Sequence, residues 1–116
     1  EHRWALAEAF RFHLDIGKAA VAERTHEQVT MLKEGLTDER SVTVVSPMSP
    51  ELSAGIVCFE VAGLTPGAVV AKLAERRIHA TTTPYKHSYA RLAAGIMNLE
   101  EEIDTAIAAV RDLTRA

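Results

Sequence analysis

The residue best suited to chemistry in this 116-residue chain is an arginine in the apolar stretch Tyr-Ala-Arg-Leu-Ala. Strand alternation places Tyr89, Arg91 and Ala93 on one face of a sheet and Ala90 and Leu92 on the other. If Leu92 faces a helical layer, Arg91 points away from it. A guanidinium there can bind a carboxylate through two parallel hydrogen bonds. The pattern therefore predicts Arg91 as a substrate-binding residue, with a solvated arginine on an open sheet face as the alternative.

Other chemically active side chains give weaker signals. The segment 81–87 (TTTPYKH) brings hydroxyl, phenol, amine and imidazole groups into one predicted loop, for which a surface turn is the alternative. The five histidines lack metal-site spacing, so we interpret each as a surface or partly packed side chain. For Cys58 we expect a buried structural thiol. We predict no catalytic residue and no metal ligand.

Composition excludes several classes of protein. The chain has 13 Lys and Arg, 16 Asp and Glu, a net charge of −3 and 47% hydrophobic residues, which is typical of a globular domain without a nucleic-acid surface. Its apolar runs are strand-sized, so we predict no membrane span. One cysteine allows no internal disulfide and favours a cytoplasmic location. The length allows one domain.

Local patterns predict the elements that position these residues. Their order is α-α-β-β-α-β-β-α, an α+β fold with a four-stranded, mostly antiparallel sheet and helices on one face. We expect Gly35 to end the second helix as a left-handed cap, Thr65 and Pro66 to start the third, and Asn98 to cap the fourth. The second strand is expected to be central and covered on both faces. The predicted strands are 41–46, 54–61, 78–83 and 88–93.

Several stretches resemble the small domain of class V, fold-type I, pyridoxal-phosphate-dependent aminotransferases. Residues 51–61 (ELSAGIVCFEV) resemble its opening strand, and residues 69–80 resemble its helix and following strand. Residues 91–104 (RLAAGIMNLEEEID) resemble the signature Arg-x-Ser-x-x-x-Tyr-Asn-Thr-x-x-Glu-Ile-Asp. Residues 12–17 and Arg24 resemble the helix that enters the domain. The likeness covers nearly the whole chain and is nearest to isopenicillin N epimerase-like enzymes and cysteine desulfurases.

The resemblance implies roles for two residues of the signature. Arg91 matches the arginine that binds the α-carboxylate of the substrate, and Asn98 matches the asparagine. Ala93, Met97 and Leu99 replace the serine, tyrosine and threonine of the signature. These departures leave the substrate open, and the reaction also stays open among transamination, epimerisation, desulfuration and lyase chemistry.

The resemblance also implies how the chain divides into segments and where the cofactor binds. Residues 1–36 form a helical segment leading into a small domain at 37–116, and the large domain that binds pyridoxal 5'-phosphate lies outside this chain. No segment matches the lysine that holds that cofactor, since the lysines occupy helix or loop contexts unlike that site; they are Lys18, Lys33, Lys72 and Lys86. We therefore expect a fragment that holds no cofactor and is inactive alone, within a parent enzyme that acts on an amino acid.

The implied partners are the amino-acid substrate, the large domain and a second copy of the enzyme in a homodimer. We expect Trp4, Phe10 or Phe12 to contribute to the surface that the large domain covers, and the isolated chain to self-associate. Two other hypotheses stay open: a free-standing α+β ligand-binding or regulatory module, and a protein-interaction domain with an exposed apolar face. The first residues, Glu-His-Arg-Trp without an initiator methionine, favour a fragment over a free-standing module.

Overall fold

Eight elements follow one another in the predicted order, and the computed structural model describes residues 2–115. The fold is α+β, as the sequence predicts. Within the described residues, none of the helices has the length and apolar character needed to cross a membrane. The elements are α1 (His2–Ile16), α2 (Lys18–Thr37), β1 (Val42–Val44), β2 (Ile56–Val61), α3 (Pro66–Glu75), β3 (Thr81–Thr82), β4 (Ala90–Ala93) and α4 (Glu100–Arg115).

The sheet has the strand order β1-β2-β4-β3, and every neighbouring pair is antiparallel. The strands are shorter than predicted because a ladder needs a partner as well as β-branched residues. β3 shows this most clearly, since only Thr81 and Thr82 pair with β4, opposite Arg91 and Ala90. Leu92, farther along β4, therefore has no β3 partner.

α2 and α3 cover one face of the sheet. Val57, Phe59 and Val61 of β2 are buried on that face, where α2 and α3 pack. On the other face Ile56 is 48% exposed and Glu60 is exposed. β2 is central in the sheet, as predicted, but the expectation that both of its faces are covered is wrong. No described helix packs on the second face.

Close packing between α2 and α4 overrides a local signal at Gly35. The predicted left-handed cap is wrong, because α2 continues to Thr37 and Gly35 lacks a positive φ. A Cβ at this position would lie 3.0 Å from Cγ1 of Ile107 and would also contact Cδ1 of that residue. Glycine is required here for the approach of two helices rather than for a turn.

The two predicted helix starts have different outcomes. The hydroxyl of Thr65 accepts a hydrogen bond from the Ala68 amide at 3.2 Å, which confirms it as the cap of α3. Asn98 lies two residues before α4, and its Oδ1 accepts from the Gly95 amide at 3.0 Å, so it closes a turn instead of capping the helix. The Asn98 side-chain oxygen therefore accepts from a turn amide instead of from an amide of α4.

α1 is separate from the core. It contains no buried residue and packs mainly against α2, with a break at Gly17, whose φ is 93°. Trp4 is 81% exposed, Phe10 61% and Phe12 56%. These three aromatic side chains are thus exposed, and their contact with a large domain stays a prediction, whereas the C-terminal half of α2 is buried in the core. The division into segments 1–36 and 37–116 stays a prediction.

Candidate functional site

Arg91 lies on the open face of the sheet, as strand alternation predicts. Its strand neighbours in register are Cys58 on β2 and Thr81 on β3. The side chain is half-buried, and its Nε donates a hydrogen bond to the Thr81 hydroxyl at 2.6 Å. Among residues 2–114 the ion pairs involve Arg11 and Arg24, so no carboxylate of these residues neutralises Arg91. Thr81 thus orients the guanidinium and leaves its terminal nitrogens available to an anion.

A cavity of about 650 Å³ lies beside Arg91, where the ladder between β3 and β4 ends. Its walls come from β4, from the segment after α3 and from the first turns of α4. Side chains of both kinds line it: the polar ones are Arg76, Arg77, His79, Thr81, Arg91, Asn98, Glu102 and Thr105, and the apolar ones are Leu32, Ile56, Ile78, Leu92, Ala93, Ile103 and Ala106. The cavity is therefore amphipathic and continuous with the predicted arginine site.

The start of α4 forms one wall of the cavity and is tied down by hydrogen bonds. The Glu102 carboxylate accepts from the Leu99 amide at 2.9 Å and from Asn98 Nδ2 at 3.2 Å. The backbone hydrogen bond from Leu99, followed by that from Asn98, lowers the pKa of Glu102 from its ordinary value. Gln28, fully buried on α2, donates to the Asn98 carbonyl oxygen at 2.5 Å. The Glu102 carboxylate is thus occupied by hydrogen bonds from the residues just before α4.

Another part of the cavity lining comes from the end of α3 and the residues after it. The Ile78 amide donates to the Leu73 carbonyl at 3.0 Å and the Arg77 amide to the Ala74 carbonyl at 2.9 Å, which together make a Schellman motif. Arg77 occupies its left-handed position, with φ 62°. Arg76 donates from Nη1 to the Ala109 carbonyl at 2.8 Å and so joins this corner to α4.

The predicted loop 81–87 contributes one residue to the site. Thr83 is buried, and its hydroxyl accepts from the Tyr89 amide at 2.9 Å, which closes the loop. Tyr85, Lys86 and His87 are exposed and do not line the cavity. Of the residues of this loop, Thr81 is the one with a hydrogen bond to the Arg91 side chain. Sequence reasoning missed Arg77 and His79 as cavity residues, and the one available signal was the pair of arginines at a helix end.

Cys58 differs from its expected environment. The thiol was expected to be buried, but the residue is half-buried because it lies on the open face of β2, opposite Arg91. Across residues 2–115, no group of three or more His, Cys, Asp or Glu is arranged to hold a metal ion.

The lysines do not fit a pyridoxal-phosphate site. Lys33 is buried, but its ammonium donates to the Pro47 carbonyl at 2.6 Å and to the Ser53 hydroxyl. Burial lowers its pKa from the ordinary value. The other lysines in the described part of the chain are exposed, and none lines the cavity beside Arg91. The described residues therefore offer no lysine aimed into a space that would hold the cofactor.

Comparisons with known proteins agree with the fold and with the resemblance to class V aminotransferases. The sequence profile of the family Aminotransferase class-V matches residues 3–105. Isopenicillin N epimerase from Streptomyces clavuligerus is 33% identical over 95% of this chain, which spans 28% of the length of that relative. The chain belongs to the class V aminotransferase family.

Solved structures share the same arrangement of elements. The apo cysteine desulfurase from Thermococcus onnurineus NA1 has a TM-score of 0.83 at 24% identity, covering 90% of this chain and 28% of its own. The cystine C-S lyase C-DES, in complex with its reaction product cysteine persulfide, has a TM-score of 0.71 at 28% identity over 79% of this chain and 24% of its own. A variant of C-DES carries glycine covalently linked to its pyridoxal-phosphate cofactor.

Proposed function

We propose that this chain is the C-terminal, substrate-facing small domain of a class V pyridoxal-phosphate enzyme that acts on an amino acid, and that Arg91 binds the α-carboxylate of the substrate. The observation that carries the proposal is the contact between Arg91 Nε and Thr81. It fixes the guanidinium plane on the sheet face that no described helix covers. A planar guanidinium held in this way can donate two parallel hydrogen bonds to a carboxylate.

The cofactor has its place elsewhere in this proposal. Pyridoxal phosphate supplies the electron sink for amino-acid chemistry when it is bound. Since no described lysine is placed to hold it, we assign its binding to the rest of the enzyme, and the 116-residue chain alone is inactive. The chain's own residues bind the carboxylate, orient the substrate and line its cavity.

The same proposal names partners and a location. The large domain of the same enzyme covers α1, whose exposed aromatic residues include Trp4 and Phe10, and the whole enzyme is a cytoplasmic homodimer. The unpaired cysteine Cys58 is consistent with a reducing compartment. Large apolar side chains that are exposed on one helix favour burial against a partner.

The test uses the full-length enzyme with Arg91→Gln and Arg91→Lys. A hydrogen bond to a charged group contributes about 1.5–3 kcal/mol. Loss of the guanidinium should therefore weaken amino-acid binding by about 10- to 100-fold. Arg91→Lys should recover only part of this, because an ammonium lacks the planar fork. The matched control is Arg40→Gln, which removes an exposed arginine that does not line the cavity.

Two readouts separate binding from cofactor loading. The near-ultraviolet and visible absorbance of the cofactor should be equal in all variants, while only the Arg91 variants lose substrate affinity. Borohydride reduction followed by peptide mapping should place the modified lysine outside residues 1–116. Unchanged substrate affinity in Arg91→Gln would contradict the assigned role of the arginine, and labelling of Lys33 would contradict the division between the two domains.

A further inference from the structure

The cavity beside Arg91 is positively charged in an acidic chain. Its lining contains three arginines, Arg76, Arg77 and Arg91, against the single carboxylate of Glu102, a net charge of +2. The whole chain carries −3. Glu102 is already held by the Leu99 amide. A concave site with this charge attracts anions, and it has more positive charge than one carboxylate neutralises.

Arg77 is present on the cavity rim despite an unfavourable backbone conformation. The left-handed position of a Schellman motif favours glycine, because a Cβ crowds the following carbonyl oxygen. Arg77 occupies it with φ 62°, and no carboxylate of residues 2–114 pairs with it. Non-glycine residues in strained conformations cluster at functional sites. The strain is thus accompanied by an exposed, unneutralised guanidinium beside a cavity.

The cavity also has apolar lining residues. Ile56, Leu92, Ile103 and Ala106 line it together with the arginines. Apolar walls favour an aliphatic chain and disfavour a compact, fully hydrated ion such as inorganic phosphate. The lining thus fits a molecule that combines an aliphatic portion with anionic groups.

We propose that the substrate is an amino acid whose side chain ends in a second anionic group. Its α-carboxylate binds Arg91, its aliphatic portion lies along the apolar wall, and its distal anion binds Arg77 with the imidazole of His79 beside it. This inference rests on the proposed function for the role of Arg91. Arg77 is the specificity-determining residue that distinguishes dianionic from monoanionic substrates.

The test titrates the chain with glutarate, 3-phosphonopropionate, butyrate and inorganic phosphate, followed by amide chemical shifts in NMR spectra. Glutarate and 3-phosphonopropionate separate a distal carboxylate from a phosphate-like group. We expect each dianion to bind at least about fivefold more tightly than butyrate, because it makes a second charge-assisted contact. The advantage should fall below about twofold in Arg77→Gly and persist in Arg77→Lys, which keeps the charge.

Arg77→Gly has a second effect that separates lost binding from lost folding. Glycine relieves the left-handed strain, so the thermal midpoint of the variant should rise while its preference for dianions disappears. Arg40→Gln is the control and should bind all four probes as the unsubstituted chain does. A dianion preference that survives Arg77→Gly, or tighter binding of inorganic phosphate than of glutarate, overturns the inference.

The same titrations distinguish a failure of the proposed role of Arg91 from a failure of the proposed role of Arg77. If butyrate binds Arg91→Gln as well as it binds the unsubstituted chain, the role of Arg91 in carboxylate binding fails, whatever Arg77 does. If butyrate binding depends on Arg91 but the dianions have no advantage over butyrate, only the role of Arg77 fails.

Discussion

Replacing Gly35 with alanine should destabilise the protein, although alanine is the better helix former. In a helix interior the substitution by itself favours folding by about 1 kcal/mol. The added Cβ, however, would overlap Ile107, with Cγ1 at 3.0 Å and Cγ2 at 3.1 Å. Overpacking of a core typically costs about 1–3 kcal/mol. We expect Gly35→Ala to lower the free energy of unfolding by about 1 kcal/mol in net terms.

Gly67→Ala is the matched control. Gly67 also lies in a helix, α3, but a Cβ there would meet nothing within 4 Å. This variant should be neutral or more stable by up to about 1 kcal/mol. Urea unfolding followed by far-ultraviolet circular dichroism gives both values, with the slope of the transition as a check that the unfolded state is unchanged.

A double variant tests the cause of the effect. Ile107→Val removes Cδ1, the atom that the new methyl group would meet most closely. Alone it should cost about 0.5–1.5 kcal/mol, and combined with Gly35→Ala it should cost less than the sum of the two. Equal stabilisation by Gly35→Ala and Gly67→Ala would refute the close contact between α2 and α4 that holds the cavity wall in place.

Three further predictions concern charge and exposure. Because burial lowers the pKa of Lys33, the unfolded state binds more protons as pH approaches its ordinary value of 10.5, so stability should rise with pH there. Lys33→Met should flatten this rise without loss of stability at neutral pH, measured by urea unfolding, since the Ser53 hydroxyl lies 3.1 Å from the Pro47 carbonyl oxygen and donates to it when the ammonium is absent. Because the pKa of Glu102 is lowered in the folded state, its ionised carboxylate stabilises the fold above pH 4.5, the ordinary pKa of the group. This stabilisation is lost as pH falls through the folded pKa. Glu102→Gln should therefore be less stable at neutral pH and equal to the unsubstituted chain in acid; a constant difference would contradict this. Phe10→Glu should reduce self-association in sedimentation velocity and leave the unfolding midpoint unchanged, because the ring is 61% exposed; a lowered midpoint would place Phe10 in the core.

Local rules were sufficient where a short stretch of chain satisfies its own groups. Thr65 and Pro66 start α3 as predicted, since the cap needs only the Ala68 amide three residues away. The buried stripe of α4 also follows from helical spacing, with Ile103 and Val110 in the core. The order of the elements was predictable from local sequence patterns, and the side of the sheet that Arg91 occupies was predictable from strand alternation.

Local rules failed where a distant residue competes. The residues next to Gly35 in sequence predict that a helix ends there. Ile107, far along the chain, packs so close to Gly35 that the position requires a glycine inside the helix. The exposed second face of β2 could not be predicted either, because an apolar strand does not show which layers are available to cover it. Strand ends depended on pairing, as Thr81 and Thr82 show.

The candidate site divides in the same way. The sequence by itself predicted the sheet face of Arg91, through strand alternation, and it determined the family and the order of the elements. The carboxylate-binding role of Arg91 stays a proposal that rests on the resemblance to the class V signature. Only the tertiary structure placed the Thr81 hydroxyl against Arg91 and joined Arg77 and His79 to the same cavity. These contacts depend on strand register and on where β3 ends, and both are decided by packing between segments that no local pattern relates.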